Sequence, residues 1–130
     1  TICSQFKNAM PSDLQDILRS RTIYTDNTGG KTNNASNVTA TTDTVYIPSE
    51  FEVQGSKTYA NSYEQNHQQQ LAYYKNGASK IRYKNNDTST AAWWWVRYND
   101  SYSFCAVNSF GMHSSHNASH AGGFAPLITL

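Results

Sequence analysis

Three histidines, His113, His116 and His120, fall within eight positions in the stretch HSSHNASH. Imidazole is the commonest metal ligand, and spacings of three and four would set all three rings on one face of a helix. A zinc-dependent enzyme is the chemistry that pattern allows. Against it, Ser114, Ser115, Asn117, Ser119, Gly122 and Gly123 are poor helix residues, and no Cys, Asp or Glu lies close by in sequence as a further ligand. Exposed loop histidines are the preferred reading, with no metal and no cofactor expected.

Other catalytic constellations are weaker. A hydrolytic triad needs a nucleophile on a defined turn beside a base and its orienter, and the chain has no GxSxG. Glu50 and Glu52 could form a carboxylate pair for glycoside hydrolysis, but helix-start electrostatics and capping explain them at least as well. Trp93, Trp94 and Trp95 offer a stacking platform for sugars or bases. In a strand, alternation sends Trp94 to one face and its two neighbours to the other, so Trp94 or Trp95 is expected in the core with its indole N–H bonded.

The elements that must position these residues are short. The run MPSDLQDILRSRT predicts a helix, with Ser12 and Gln15 spaced as a capping box and Leu14, Ile17 and Leu18 on one face. From Thr25 to Thr42 the chain is almost entirely Asn, Thr, Ser and Gly, which predicts a long loop carrying at most one short strand. TVYIPSEFEV predicts a strand stopped by Pro48 and running into a helix capped by Ser49 and Glu52. NHQQQLAYYKNG predicts a helix of about three turns ending in a left-handed cap at Asn76-Gly77. KIRYK predicts a brief strand with Ile81 and Tyr83 inward, and AWWWVRY, SFCAV and GGFAPLITL predict three more strands. The expected class is α+β, a single domain over residues 1–130 with two or three short helices, short antiparallel strands and long loops.

Hydrophobic residues make up 38% of the chain and charged residues only 15%, so neutral polar groups carry its solvation, a balance often met outside the cytoplasm. The net charge is +1 with Lys and Arg scattered, which argues against a nucleic-acid partner. No apolar run is long enough to span a bilayer, so membrane insertion is not expected. The chain starts at Thr1 without Met and is expected to be the C-terminal domain of a longer protein. Cys3 and Cys105 suit two free thiols or one long-range disulfide.

Four pieces are more specific: Ser-Glu-x-Glu-Val-x-Gly at Ser49 to Gly55, Trp-Trp-x-Arg at Trp94 to Arg97, the Val107-Asn108-Ser109-x-Gly111 turn, and Gly-x-Ala-Pro at Gly123 to Pro126. With these, residues 5–130 resemble a domain family of unknown function from gut bacteria and their phages. That family is similar to the variable proteins of diversity-generating retroelements, which share a C-type lectin-like fold with the formylglycine-generating enzyme. In such systems, error-prone copying at template adenines rewrites Asn codons to Tyr, His, Asp, Ser, Phe, Ala or Gly, but not to Lys, Glu, Gln or Trp. Between Tyr98 and Ala121 there is no Lys, Glu, Gln, Arg or Trp.

The resemblance implies a non-enzymatic adhesion domain that presents a diversified surface, about residues 98–121, to a protein or glycan on a cell. It implies a place at a phage tail tip or on a bacterial surface; virion tips often trimerise, and the sequence leaves open whether the full-length protein forms a homotrimer. Tyr98, Asn99, Asp100, Tyr102, Ser103, Ala106, Phe110, His113, Ser114, His116, His120 and Ala121 would face solvent together. Trp94, Trp95, Arg97, Phe104, Val107, Gly111, Asn117, Gly123, Phe124 and Pro126 would be the fixed anchors beneath them. Tyr among Ser, Asn and Gly is also the composition of antibody paratopes. The chain lacks the active-site cysteine pair of the enzymatic relatives, and the Glu-Pro-Asn or Gln-Pro-Asp calcium motif of sugar-binding lectins. A static carbohydrate-binding module using the Trp93–Trp95 ridge is the alternative function.

Overall fold

Ser49 and Glu52 form the capping box that their spacing predicts: the Glu52 amide donates to Ser49 Oγ at 3.1 Å, and the Ser49 amide donates to Glu52 Oε2 at 2.9 Å. That helix, Glu50–Gln54, ends at Gly55, whose φ of 72° favours glycine. It is the third of five short helices in a computed structural model that describes residues 1–28, 32–56, 58, 61–85, 87–99 and 103–130. The helices are α1 (Ile2–Asn8), α2 (Ser12–Ile17), α3 (Glu50–Gln54), α4 (Ser62–Asn66) and α5 (Ala72–Lys75). The strands are β1 (Arg21–Asp26), β2 (Val38–Asp43), β3 (Val45–Tyr46), β4 (Arg82–Lys84), β5 (Asp87–Ala92), β6 (Trp94–Asn99), β7 (Phe104–Val107), β8 (His113–His116) and β9 (Leu127–Ile128). The chain is a small α+β domain, as its pattern predicts. No helix among the described residues is long and apolar enough to cross a membrane.

Strand pairing is antiparallel throughout the named sheets: β1 with β2, β3 with β9, β4 with β5, and a three-stranded β6-β7-β8 sheet. Parallel bridges then tie β6 to its neighbours, Ser49 with Arg97 and Trp94 with Gly123. The core gathers on one face of β6 and β7, where Trp94, Val96, Tyr98, Cys105 and Val107 pack against Val53 and Tyr74. Cys3 and Cys105 are both thiols, the second buried. Burial, and then the Asp43 charge, push the Cys3 thiol up from its ordinary pKa, which keeps it protonated and poorly nucleophilic.

Several expectations are corrected. Among the described residues five helices stand where two or three were expected: α1 and α4 have no strong pattern, and the three-turn helix anticipated over residues 66–77 is cut back to the single turn of α5. Tertiary bonds break it: Gln68 Nε2 donates to Glu64 Oε1 and Tyr24 O, Gln70 Nε2 donates to Val53 O, and the Leu71 amide donates to Glu52 O. The Gly77 cap remains, at φ 88°. In α2, Pro11 takes the N-cap position, so Ser12 lies inside the helix and makes no capping box; Gln15 donates to Met10 O instead. The polar stretch 25–42 does carry a short strand, β2, whose last residue Asp43 lies just past it and which is registered on β1 from Arg21↔Asp43 to Asp26↔Val38. Its threonines suit a strand but face water, so no apolar alternation marked it. Tyr83 points outward, 50% exposed, while Arg82 turns toward Tyr74 and Trp94.

Candidate functional site

Alternation along β6 gives its sheet two different faces. Of the two candidates, Trp94 and Trp95, it is Trp94 that is directed to the core, 1% exposed, with its Nε1–H donating to Lys80 O at 3.0 Å. Trp95 lies opposite Ala106, which lies opposite Ser114, and two positions along on the same face Phe104 lies opposite His116. This outer face carries a continuous aromatic layer. Trp93 stacks on His116 at 4.1 Å between ring centroids and meets Trp95 edge-on at 4.7 Å, while Phe104 lies 6.3 Å from Trp95 and His120 5.7 Å from His116. The tryptophan ridge and the histidine stretch are therefore one surface, which the sequence presents as two.

The turn between β7 and β8 is held by Asn108. Its Oδ1 accepts from the amides of Phe110 and Met112 at 2.9 and 3.0 Å, its amide donates to Met112 O, and the Gly111 amide donates to Asn108 O. Gly111 is buried at φ 83° and its carbonyl accepts from Gln54 Nε2. On this pinned backbone Phe110 is 81% exposed and Met112 57%. Large apolar groups on a rigid, solvated turn contribute nothing to the core and much to an interface.

The histidines do not converge. HSSH forms β8 rather than a loop, because it completes the ladder on β7, and an odd spacing in a strand sends His113 and His116 to opposite faces. Among the described residues no group of three or more His, Cys, Asp or Glu is placed to hold a metal ion. Glu50 and Glu52 are both buried; Glu50 accepts from the Thr58 amide, and Glu52 from Ser49 and Arg97.

Of the residues expected at the surface, Phe110, His113, His120 and Ala121 are exposed and Ser103, Ser114 and His116 half-buried. Tyr98 and Ala106 are corrections: they are 3% and 1% exposed, Tyr98 on the core face of β6 and Ala106 beneath its cross-strand neighbours. Asp100 and Tyr102 lie outside the described residues, and Asn99 is described only by its backbone, paired with Phe104. Among the anchors Trp94, Arg97, Val107 and Gly111 are buried and Gly123, Phe124 and Pro126 half-buried. A Cβ on Gly123 would come within 2.9 Å of Trp93 O and 3.0 Å of Trp94 Cβ, so that approach needs glycine. Trp95 is half-buried on the outer face, and Phe104, 44% exposed, belongs to the surface rather than the frame. Asn117 is also exposed and serves through its carbonyl, which accepts from the His120 amide. Met112 is a surface residue that the amino-acid types did not mark.

Arg97 holds the frame. Its Nε donates to Tyr24 O at 3.1 Å, Nη1 to Ile47 O at 2.6 Å and Nη2 to Glu52 Oε2 at 3.3 Å, so one guanidinium ties β1, the Pro48 turn and α3 to β6. A second polar cluster adjoins it, and sequence gave no sign of it. Glu64 accepts from the Asp26 amide and Gln68, Asp26 accepts from the Asn61 amide, and Ser49 donates to Gln68.

Burial pushes the Glu64 carboxyl up to about 7, the Gln68 and Asp26 bonds and the Arg97 charge only partly opposing it. Its folded pKa is then above its unfolded value. The associated stability is present at low pH and is lost as pH rises from about 4.5 through 7. The expected loss, on the order of 3 kcal/mol, is measured by urea unfolding of wild type and Glu64→Gln at pH 5 and pH 8. Wild type should fall relative to the variant at the higher pH; parallel curves would show a carboxylate fully compensated by its bonds.

A family profile covers nearly the whole chain, from residue 3 to residue 130, including the α3 box, the Arg97 anchor and the Asn108 turn. Neither a curated protein nor a solved structure matches it. The profile describes a domain of unknown function, and this chain belongs to that family, DUF6273.

Proposed function

We propose that this domain is a non-enzymatic adhesion module of C-type lectin-like architecture, whose β7–β8 hairpin and following loop bind a protein or glycan on a cell surface. One observation carries the reading: Phe104, Phe110 and Met112 are exposed on a backbone that the Asn108 turn and Gln54 hold in place. Pre-organised aromatic area beside small polar groups is the physics of a paratope. Tyr98 and Ala106 fall to the fixed frame, Phe104 joins the surface, and the rest of the diversified set over residues 98–121 is kept. In a longer protein the domain would occupy a phage tail tip or a bacterial surface, as a homotrimer. The carbohydrate-module reading draws on Trp93 and Trp95, which share the same outer layer.

Replacing His113, His116 and His120 by Asn, Ser and Tyr should leave the melting temperature within about 2 °C, with or without chelator, because a structural zinc would contribute several kcal/mol. Binding of the labelled domain to a panel of gut bacterial cells should be lost on Phe104→Ala with Phe110→Ala, while unfolding is little changed. Retained cell binding in that double variant would reject the hairpin as the contact surface; loss confined to Trp95→Ala would favour the static carbohydrate module. A nearby near-copy of the coding DNA for this stretch, differing at adenines, is the genetic counterpart of the proposal.

A further inference from the structure

A groove of about 760 Å³ runs between the β4–β5 hairpin and residues 121–125, with Trp93 and Ser109 also in its lining. Its size is that of small-ligand clefts, roughly 300–1,000 Å³. Arg82 and Lys84 supply charge, Thr90 and Ser109 hydroxyls, and Tyr83 and Trp93 rings; among the described residues no carboxylate lines it.

Arg82 is the informative residue. Nη1 donates to Ser79 O and Ile81 O at 3.0 and 3.1 Å, and Nη2 donates to Tyr74 Oη at 2.8 Å. The guanidinium carbon lies 5.6 to 6.0 Å from the ring centroids of Trp94, Tyr74 and Tyr73. These contacts fix the group, yet three bonds engage only three of its five N–H donors. The Nε–H and one Nη2–H have no acceptor, and Arg82 has no ion pair, among the described residues. Lys84 lies opposite Asp87 across the hairpin, but Asp87 accepts from the Ser89 amide and hydroxyl at 2.9 and 2.6 Å and does not line the groove. An oriented guanidinium that has no carboxylate partner among the described residues and keeps donors to spare can receive a planar carboxylate.

We infer that this groove binds a sugar carboxylate, a uronic or sialic acid residue of an acidic oligosaccharide, through Arg82 with Lys84 in support. Hydroxyls and rings beside the cations suit a hydroxylated ring better than a peptide. At the opposite wall Gly123 donates its N–H to Trp93 O and its C=O accepts from the Trp95 amide, so its backbone offers no strand edge there to pair with a peptide. The groove does not rest on the hairpin reading, since Phe104 and Phe110 do not line it.

The test is an NMR titration of the isotopically labelled domain with methyl β-glucuronide and with N-acetylneuraminic acid. Methyl β-glucoside serves as the neutral counterpart and acetyl-aspartate amide as the peptide-like acid. Expected are saturable shifts of the Trp93 indole, Gly122 and Arg82 Nε–H signals with at least one acidic sugar, whichever of the two binds naming the source, and at least about tenfold weaker binding of the glucoside. Arg82→Lys, which keeps the charge but loses the fork, should weaken binding about tenfold, and Lys84→Gln less. Unmoved Val53 and Val107 amide signals in the variant report an intact core; if Arg82→Lys does not fold, weakening by Lys84→Gln and by added salt takes its place. Equal binding of the glucoside, preference for the aspartate, shifts that map elsewhere, or no saturation by either acid would overturn the inference. The Phe104→Ala, Phe110→Ala variant should titrate as wild type does, so failure of the hairpin reading leaves this one standing.

Discussion

Arg97→Met should lower the unfolding free energy by about 3–5 kcal/mol, one of the two largest losses expected from a single substitution here. Arg97 is 8% exposed and its partner Glu52 1%. Methionine fills much the same space, so the loss is electrostatic rather than a cavity. Glu52 Oε2 would keep only the Ser49 amide, and Oε1, which has no hydrogen bond, would face Arg21 Nη2 at 3.5 Å, a side chain 38% exposed and correspondingly weakened by water. The carbonyls of Tyr24 and Ile47 would lose a donor as well. Guanidinium chloride unfolding measures this, and the melting temperature should fall on the order of 15 °C. Adding Glu52→Gln to Arg97→Met should recover part of the loss, because the unpaired charge is then gone. A loss under about 1 kcal/mol with no recovery would mean that the pair is solvated and that the frame does not depend on it.

Trp94→Ala should cost a similar amount, about 3–5 kcal/mol, by a different route. The side chain is 1% exposed, its indole N–H donates to Lys80 O, and Arg82 lies over its ring, so truncation leaves both a void and an unpaired carbonyl. Trp95→Ala, one residue on and half-buried on the opposite face, should cost less than about 2 kcal/mol. Thermal or urea unfolding of the two variants side by side checks the face assignment. Equal losses would mean that the outer aromatic layer is core, covered by something, and would remove the surface on which the adhesion proposal rests.

Much of the frame was legible where local chemistry decides conformation. The Ser49–Glu52 box, the Gly77 cap and the placing of Trp94 on the face opposite Trp93 and Trp95 follow from spacing, because capping and alternation act within a few residues, while which of Trp94 and Trp95 is inward was left to the fold. The place and length of the short strand in the polar stretch, β2, were hidden because its partner, not its own apolar pattern, holds its threonines in place. The shortening of the helix expected over residues 66–77 to α5 was hidden because Gln68 and Gln70 bond to residues far away in sequence.

The site divides in the same way. From sequence alone follow the α+β class, the paratope-like residue types between Tyr98 and Ala121, and the alternation of the three tryptophans, all properties of neighbours along the chain. Which side chains face water depended on the third dimension. Phe104 and Tyr98 are both aromatic residues in strands, yet the sheet's register puts one over Trp95 in the outer layer and the other in the core with Val96 and Cys105. Tertiary structure alone likewise stacked His116 on Trp93, and brought Arg82 and Lys84 to a groove whose far wall lies about forty positions along the chain. Burial and facing are set by which segments meet, and in a chain of short strands joined by long loops that is decided by pairings no local pattern encodes.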